Sequence, residues 1–105
     1  MIHELKCKSC FFTAIKDGAK TFEIRKNDRD YQVGDFLALN ETKTESREEY
    51  YTGDSIIARV VYILDDKEYV PEGYVAMGIA LARIEYNDKT YHTVSAKLRP
   101  IRREK

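Results

Sequence analysis

The stretch Gly18-Ala19-Lys20-Thr21-Phe22-Glu23-Ile24-Arg25, followed by Val33-Gly34-Asp35, decides how the chain is read. Successive side chains of a strand point to opposite faces. Phe22 and Ile24 therefore share a side suited to a core, and Thr21, Glu23 and Arg25 share the other, with Lys20 at the strand's start. A hydroxyl, a carboxylate and a guanidinium in a row build a hydrophobic core poorly. They suit the floor of a polar pocket.

Upstream, the residues from Ile2 to Cys7 alternate as a strand. Ser9 stands at the N-cap position of a short helix over 10–17, in which Phe11, Phe12 and Ile15 share one face, and Gly18 suits its end. Downstream, 26–32 is a polar loop and Val33-Gly34-Asp35 a tight turn, with Gly34 for backbone freedom and Asp35 to cap the turn amides. A strand over 36–41 follows, then a charged stretch without period at 42–50, expected as an exposed loop. Tyr51-Thr52-Gly53-Asp54 is expected to turn into a strand over 55–64. Both faces of that strand are mostly apolar, which predicts a central strand covered on both sides. Arg59 is its odd residue, either an edge side chain with its head in water or the far wall of the pocket.

Residues 65–73 form a second polar loop, and 74–86 a long apolar strand in which Gly78 invites a bulge. A hairpin turn at 87–89 and a return strand over 90–98, stopped by Pro100, complete the count. About six strands and one or two short helices predict a mainly β fold with α: a small mixed, mainly antiparallel β-barrel with a helix at its edge.

At 105 residues the chain is read as a single domain, 1–105. Hydrophobic residues at 43% and charged residues at 34% fit a globular protein rather than a disordered one. No apolar run has the length of a membrane span and the start lacks signal-peptide order, so a cytoplasmic protein with no membrane partner is expected. Zero net charge argues against a strong nonspecific polyanion binder. The charge is unevenly spread, however. Residues 36–72 carry four Lys/Arg against nine Asp/Glu, and residues 73–105 seven against three, which sets an acidic middle beside a basic end.

Cys7-Lys8-Ser9-Cys10 is a C-x-x-C at a strand-to-helix junction. It offers two ligands where structural zinc wants four, and His3 and His92 complete a set only if the fold converges them. Two reduced thiols are expected, with no metal and no cofactor.

Further motifs carry a family resemblance. They are His3-Glu4-Leu5-Lys6, Phe11-Phe12-x-Ala-Ile15-x-x-Gly18, Lys20-Thr21-x-Glu23-x-Arg25-Lys26-Asn27-Asp28-Arg29, Val33-Gly34-Asp35, Tyr51-Thr52-Gly53 and Gly73-Tyr74-Val75-x-Met77-Gly78-Ile79. On these the chain resembles an ASCH-type domain of the PUA-like superfamily, within a small ASCH-like subgroup of unknown function. The resemblance implies a β-barrel with a cleft near the helix and an RNA- or nucleotide-binding role. The family also contains small amidohydrolases that deacylate N4-acetylcytidine, with a Lys-Thr-x-Thr-x-Arg strand whose second Thr is the nucleophile. Lys20, Thr21 and Arg25 match that strand, but Glu23 stands in the nucleophile's position and cannot form the same acyl intermediate in the same way.

Three readings follow. In the first, RNA or a nucleotide binds in a cleft formed by Lys20, Thr21, Glu23, Arg25 and Arg59. Arg25 grips a phosphate bidentately, Lys20 adds a point charge, and Glu23 accepts from a base amino group. In the second, an amidohydrolase uses Lys20 and Glu23 as an acid/base pair on an N-acylated nucleoside. In the third, an interaction module of a mobile element uses its acidic 41–54 stretch and basic tail. Tyr31, Tyr50, Tyr51 and Tyr69 are candidates to stack on bases. A monomer or weak homodimer is expected, the dimer through a strand edge near 90–98.

Overall fold

The computed structural model describes residues 1–87. In chain order the elements are β1 (Ile2–Lys8), α1 (Ser9–Lys16), β2 (Phe22–Lys26), β3 (Phe36–Glu45), β4 (Glu48–Leu64) and β5 (Tyr74–Glu85). The five strands form one mixed sheet in the order β1-β3-β4-β5-β2. β1 runs parallel to β3, and the other neighbours are antiparallel. The expected sixth strand at 90–98, the dimer edge and, after Asn87, the expected turn at 87–89 lie outside the described residues.

Among the described residues the sheet is open where a barrel was expected to close, with β1 and β2 as its two edges and no backbone ladder between them. A side chain bridges them instead: Arg25 Nη2 donates to the Lys6 carbonyl at 2.8 Å.

The core lies on the face of the sheet that α1 packs against. His3, Leu5 and Cys7 of β1 are buried, while Glu4, Lys6 and Lys8 alternate outward. Leu5 and Cys7 pack with Leu37, Leu39, Ile56, Val60, Val75 and Met77, and α1 adds Phe12 and Ile15 to that cluster. The helix departs from expectation at its start. Lys8, not Ser9, is the capping residue and gives no side-chain cap; Ser9 is the first helical residue, and its hydroxyl donates to Glu41 Oε2 at 2.7 Å. Phe11 leaves the expected apolar face and is half exposed. The helix ends as expected. Gly18 takes φ +83°, its N–H bonds to the Ile15 carbonyl, and the Ala19 N–H bonds to the Ala14 carbonyl, the paired pattern of a Schellman cap.

β2 reverses the apolar expectation. Phe22 and Ile24 are 48% and 52% exposed, whereas Glu23 is buried opposite Met77. A carboxylate can take the inward position because two cations accompany it, as described below. Gln32, Gly34 and Asp35 close the turn before β3. Gly34 has φ +98°, and Asp35 Oδ2 accepts the Gln32 N–H at 3.0 Å.

The charged stretch 42–50 is not a loop. It is the far end of the β3–β4 hairpin, paired through Glu45 and Glu48 and turned at Ser46 and Arg47, both with positive φ as a two-residue type I′ turn requires. Tyr51-Thr52-Gly53-Asp54 likewise lies inside β4. The register jumps between Asn40 opposite Ser55 and Thr42 opposite Tyr51, so 52–54 bow out of the ladder. Gly53 has φ +97°, and a Cβ there would lie 2.6 Å from the Asn87 side chain.

β4 is central in the sheet, but only one face is covered along 59–62. Val60 is fully buried, while Arg59, Val61 and Tyr62 are exposed. A register shift between Val60 and Tyr62 turns Tyr62 out of the inward phase. In β5, a Cβ at Gly78 would lie 3.6 Å from the side chains of Val61 and Tyr62.

Candidate functional site

The gap between the edge strands β1 and β2 is a cleft of about 580 Å³, within the range of small-molecule sites. Its floor comes from β2. Glu23 is the pivot: Lys20 Nζ donates to Oε2 at 2.6 Å, and Arg25 Nε donates to Oε1 at 2.9 Å. The Glu23 side chain is 5% exposed, against 16% for Lys20 and 25% for Arg25, so the anion is sealed below two cations that reach solvent. Strand geometry dictates this grouping. Glu23 and Arg25 are two residues apart on one face, and Lys20, just before the strand, folds back over them.

Two aromatic rings stand beside Lys20. Lys20 Nζ lies 4.9 Å from the Phe22 ring centre and 5.4 Å from that of Phe11, and both rings are about half exposed. Lys20 also donates to the Phe22 carbonyl at 2.6 Å. The charged side chains lining the cleft are Lys6, Lys8, Lys20 and Arg25 against Glu23 and Glu49, a surplus of positive charge. Donors remain free. Lys20 uses two of its three N–H groups on protein acceptors, and Arg25 two of its five.

Cys7 borders the same cleft from β1. Burial, reinforced by the Glu23 charge, pushes its thiol up to about 11. It is therefore a thiol rather than a thiolate at neutral pH. Cys10 is exposed on α1, and both cysteines are free. His3 is remote from them in role: its Nε2 pairs with Asp35 Oδ2 at 2.8 Å, and its ring meets Tyr31 edge-on at 4.8 Å. Asp35 is held below the ordinary aspartate value, first by the His3 hydrogen bond and then by the Gln32 N–H. Among the described residues no group of three or more His, Cys, Asp or Glu could hold a metal. His92 and the basic residues 97–105 lie outside the described residues.

Of the residues expected at the site, Lys20, Glu23 and Arg25 come together. Thr21 is exposed and is not among the cleft-lining residues; its carbonyl accepts the Ile79 N–H. Arg59 is exposed on β4 opposite Phe36 and Ala80, apart from the cluster, so it does not form the pocket's far wall. Tyr31 is 5% exposed and presents no ring for stacking. Sequence reasoning missed Phe11 and Phe22 as cleft residues because both read as core. It also missed Glu41, a buried carboxylate that accepts from Ser9 and from Thr52 Oγ1 at 2.8 Å. The signal for Glu41 was the strand period, since Leu37 and Leu39 fix the inward phase that it continues.

Comparison with known proteins identifies the family. Residues 2–79 match the family described as "Domain of unknown function (DUF3850)", so the chain belongs to that family. It is also 34% identical over 83 residues to the "Uncharacterized 12.9 kDa protein in GpA 3'region" of Escherichia phage P2, a match spanning 79% of this chain and 72% of the phage protein. Among the described residues no helix is long and apolar enough to cross a membrane.

Proposed function

We propose that this member of the DUF3850 family is an ASCH-like, PUA-like domain that binds RNA or a nucleotide in the cleft between β1 and β2. One observation carries the reading. Two half-exposed phenyl rings flank a lysine that a buried carboxylate pins beside an arginine. The rings offer π-faces on which a base can stack. The free N–H groups of Lys20 and Arg25 offer a phosphate charge-assisted hydrogen bonds. Glu23 holds both cations in place before any ligand arrives, so little side-chain ordering remains to be done on binding. The mixed, mainly antiparallel sheet and the Lys20-Thr21-x-Glu23-x-Arg25 motif support the ASCH-like assignment.

The test is an NMR titration with nucleosides, nucleotides and short single-stranded RNAs. Saturable shifts of the amides at 20–25 and of the Phe11 and Phe22 ring protons are expected. Silence of those signals toward every ligand would overturn the reading.

A second reading is favoured by the 2.6 Å contact between Lys20 Nζ and Glu23 Oε2, the pairing that an acid/base mechanism on an N-acylated nucleoside would use. It requires turnover of such nucleosides that Glu23→Gln abolishes while the fold survives. Binding without turnover would exclude it.

A further inference from the structure

A second cleft, of about 430 Å³, adjoins the first, and Lys6 and Arg25 line both. Its other lining includes Arg29, Tyr51 and a polar chain formed by Ser55, Asn40 and Glu4. The hydrogen bonds of that chain run in one direction. Ser55 Oγ donates to Asn40 Oδ1, and Asn40 Nδ2 donates to Glu4 Oε1 at 2.9 Å. The reverse amide orientation would set Asn40 Oδ1 against the Glu4 carboxylate, so the direction is fixed chemically. The chain ends in an exposed carboxylate with acceptor sites left over. A ligand edge that meets it must donate.

Resting on the reading above, we propose that the second cleft is a nucleobase subsite selecting an amino-bearing base, and that the ligand is therefore a single-stranded RNA rather than a mononucleotide. The strand crosses the β1–β2 seam with its backbone over Arg25 and Lys6. One base lies against Phe11 and Phe22, and another lies beside Tyr51 with its amino group donating to Glu4. Cytosine, whose N4 amino group is a donor in this position, fits; uracil, which presents the O4 acceptor instead, meets an anion. Arg29 supplies positive charge at the far end, where its own nearest carboxylate, Asp28, is 4.0 Å away.

The experiment measures affinity for CMP, for the RNA pentamer of cytidines and for that of uridines, by competition against a labelled cytidine pentamer. The cytidine pentamer should bind at least about tenfold more tightly than CMP, and about tenfold more tightly than the uridine pentamer. Tyr51→Ala should weaken the cytidine pentamer about tenfold, in line with the loss of one stacked base. Glu4→Gln, a change at an exposed position, should erase the preference for cytidine, because an amide can donate to O4 as readily as it accepts from N4. Equal affinities for CMP and both pentamers, or a preference that survives Glu4→Gln, would overturn the second subsite and leave the first cleft standing. Failure of CMP and of both pentamers to bind would overturn both.

Discussion

Glu23 and Asp35 come from one sequence motif and are both buried, at 4% and 8% exposure, yet they do different work. Asp35 faces inward onto His3 and the Gln32 N–H, with Tyr31 closing the other side of the His3 ring. Its close partners are the buried His3 ring and the Gln32 N–H, and the N-terminal ammonium of Met1 lies farther off, 3.6 Å from Oδ1. Glu23 instead holds two cations whose heads reach solvent beside exposed aromatic rings. One carboxylate closes the fold; the other arms a surface. Burial alone does not separate them, and the cleft with its exposed aromatic rings beside the cations of Glu23 does.

The largest expected effect falls on the closing carboxylate. Asp35→Ala removes the partner of His3 and the cap of the turn, and should lower stability by about 3 kcal/mol, read from urea denaturation. Nucleotide affinity of the folded fraction should not change. If affinity falls as steeply as stability, the two carboxylates are not separable in the way described.

Acid should sharpen the contrast. The Asp35 value is depressed in the fold, so its contribution is complete above the ordinary aspartate value of 3.8 and fades as pH drops through the lower folded value. The urea midpoint of the wild type should therefore fall steeply below about pH 3.8. That of Asp35→Asn should fall less steeply over the same window. Parallel profiles would show that the His3 bond does not stabilise the ionised form.

Glu23→Gln should cost less stability, about 1–2 kcal/mol, because its cation partners can turn to water. It should weaken nucleotide binding about tenfold by releasing Lys20 and Arg25 from their fixed spacing. Unchanged affinity would mean that the ligand does not use the pinned cations.

The smallest effect concerns the thiols. At pH 8 an alkylating agent should modify the exposed Cys10 and spare Cys7, whose value of about 11 leaves roughly one molecule in a thousand as thiolate. Mass spectrometry should find one adduct per chain until denaturant is added. Two adducts in the native protein would show that the Cys7 wall of the cleft opens.

The fold was legible where local chemistry dictated it. Gly18, Gly34 and the Asp35 cap were readable because φ > 0 and turn amides select those residue types. The β3–β4 hairpin was hidden because its 42–50 arms are polar on both faces, which removes the period-2 signal, and its turn uses Ser46-Arg47 rather than Asn-Gly. The phase of β2 was misread for a related reason. Apolarity points Phe22 and Ile24 inward, but pairing with Met77 sends Glu23 there, and only the cations Lys20 and Arg25 make that tolerable. The polar trio was therefore visible in the sequence, while its aromatic rim, formed by residues that read as core, was not. Arg59 lacked any local signal of distance from the cluster, since its place depends on strand order rather than on its neighbours in sequence.

The most direct test of the division between a closing and an arming carboxylate is a set of affinity measurements on the doubly substituted Phe11→Ala/Phe22→Ala protein and on Asp35→Asn. Each is titrated with a labelled single-stranded RNA under conditions where both are folded. The rings are half exposed, so the double variant should keep nearly wild-type stability and lose at least about tenfold in affinity. Asp35→Asn should lose stability and keep its affinity. Wild-type affinity in the ring-deleted protein would contradict the account.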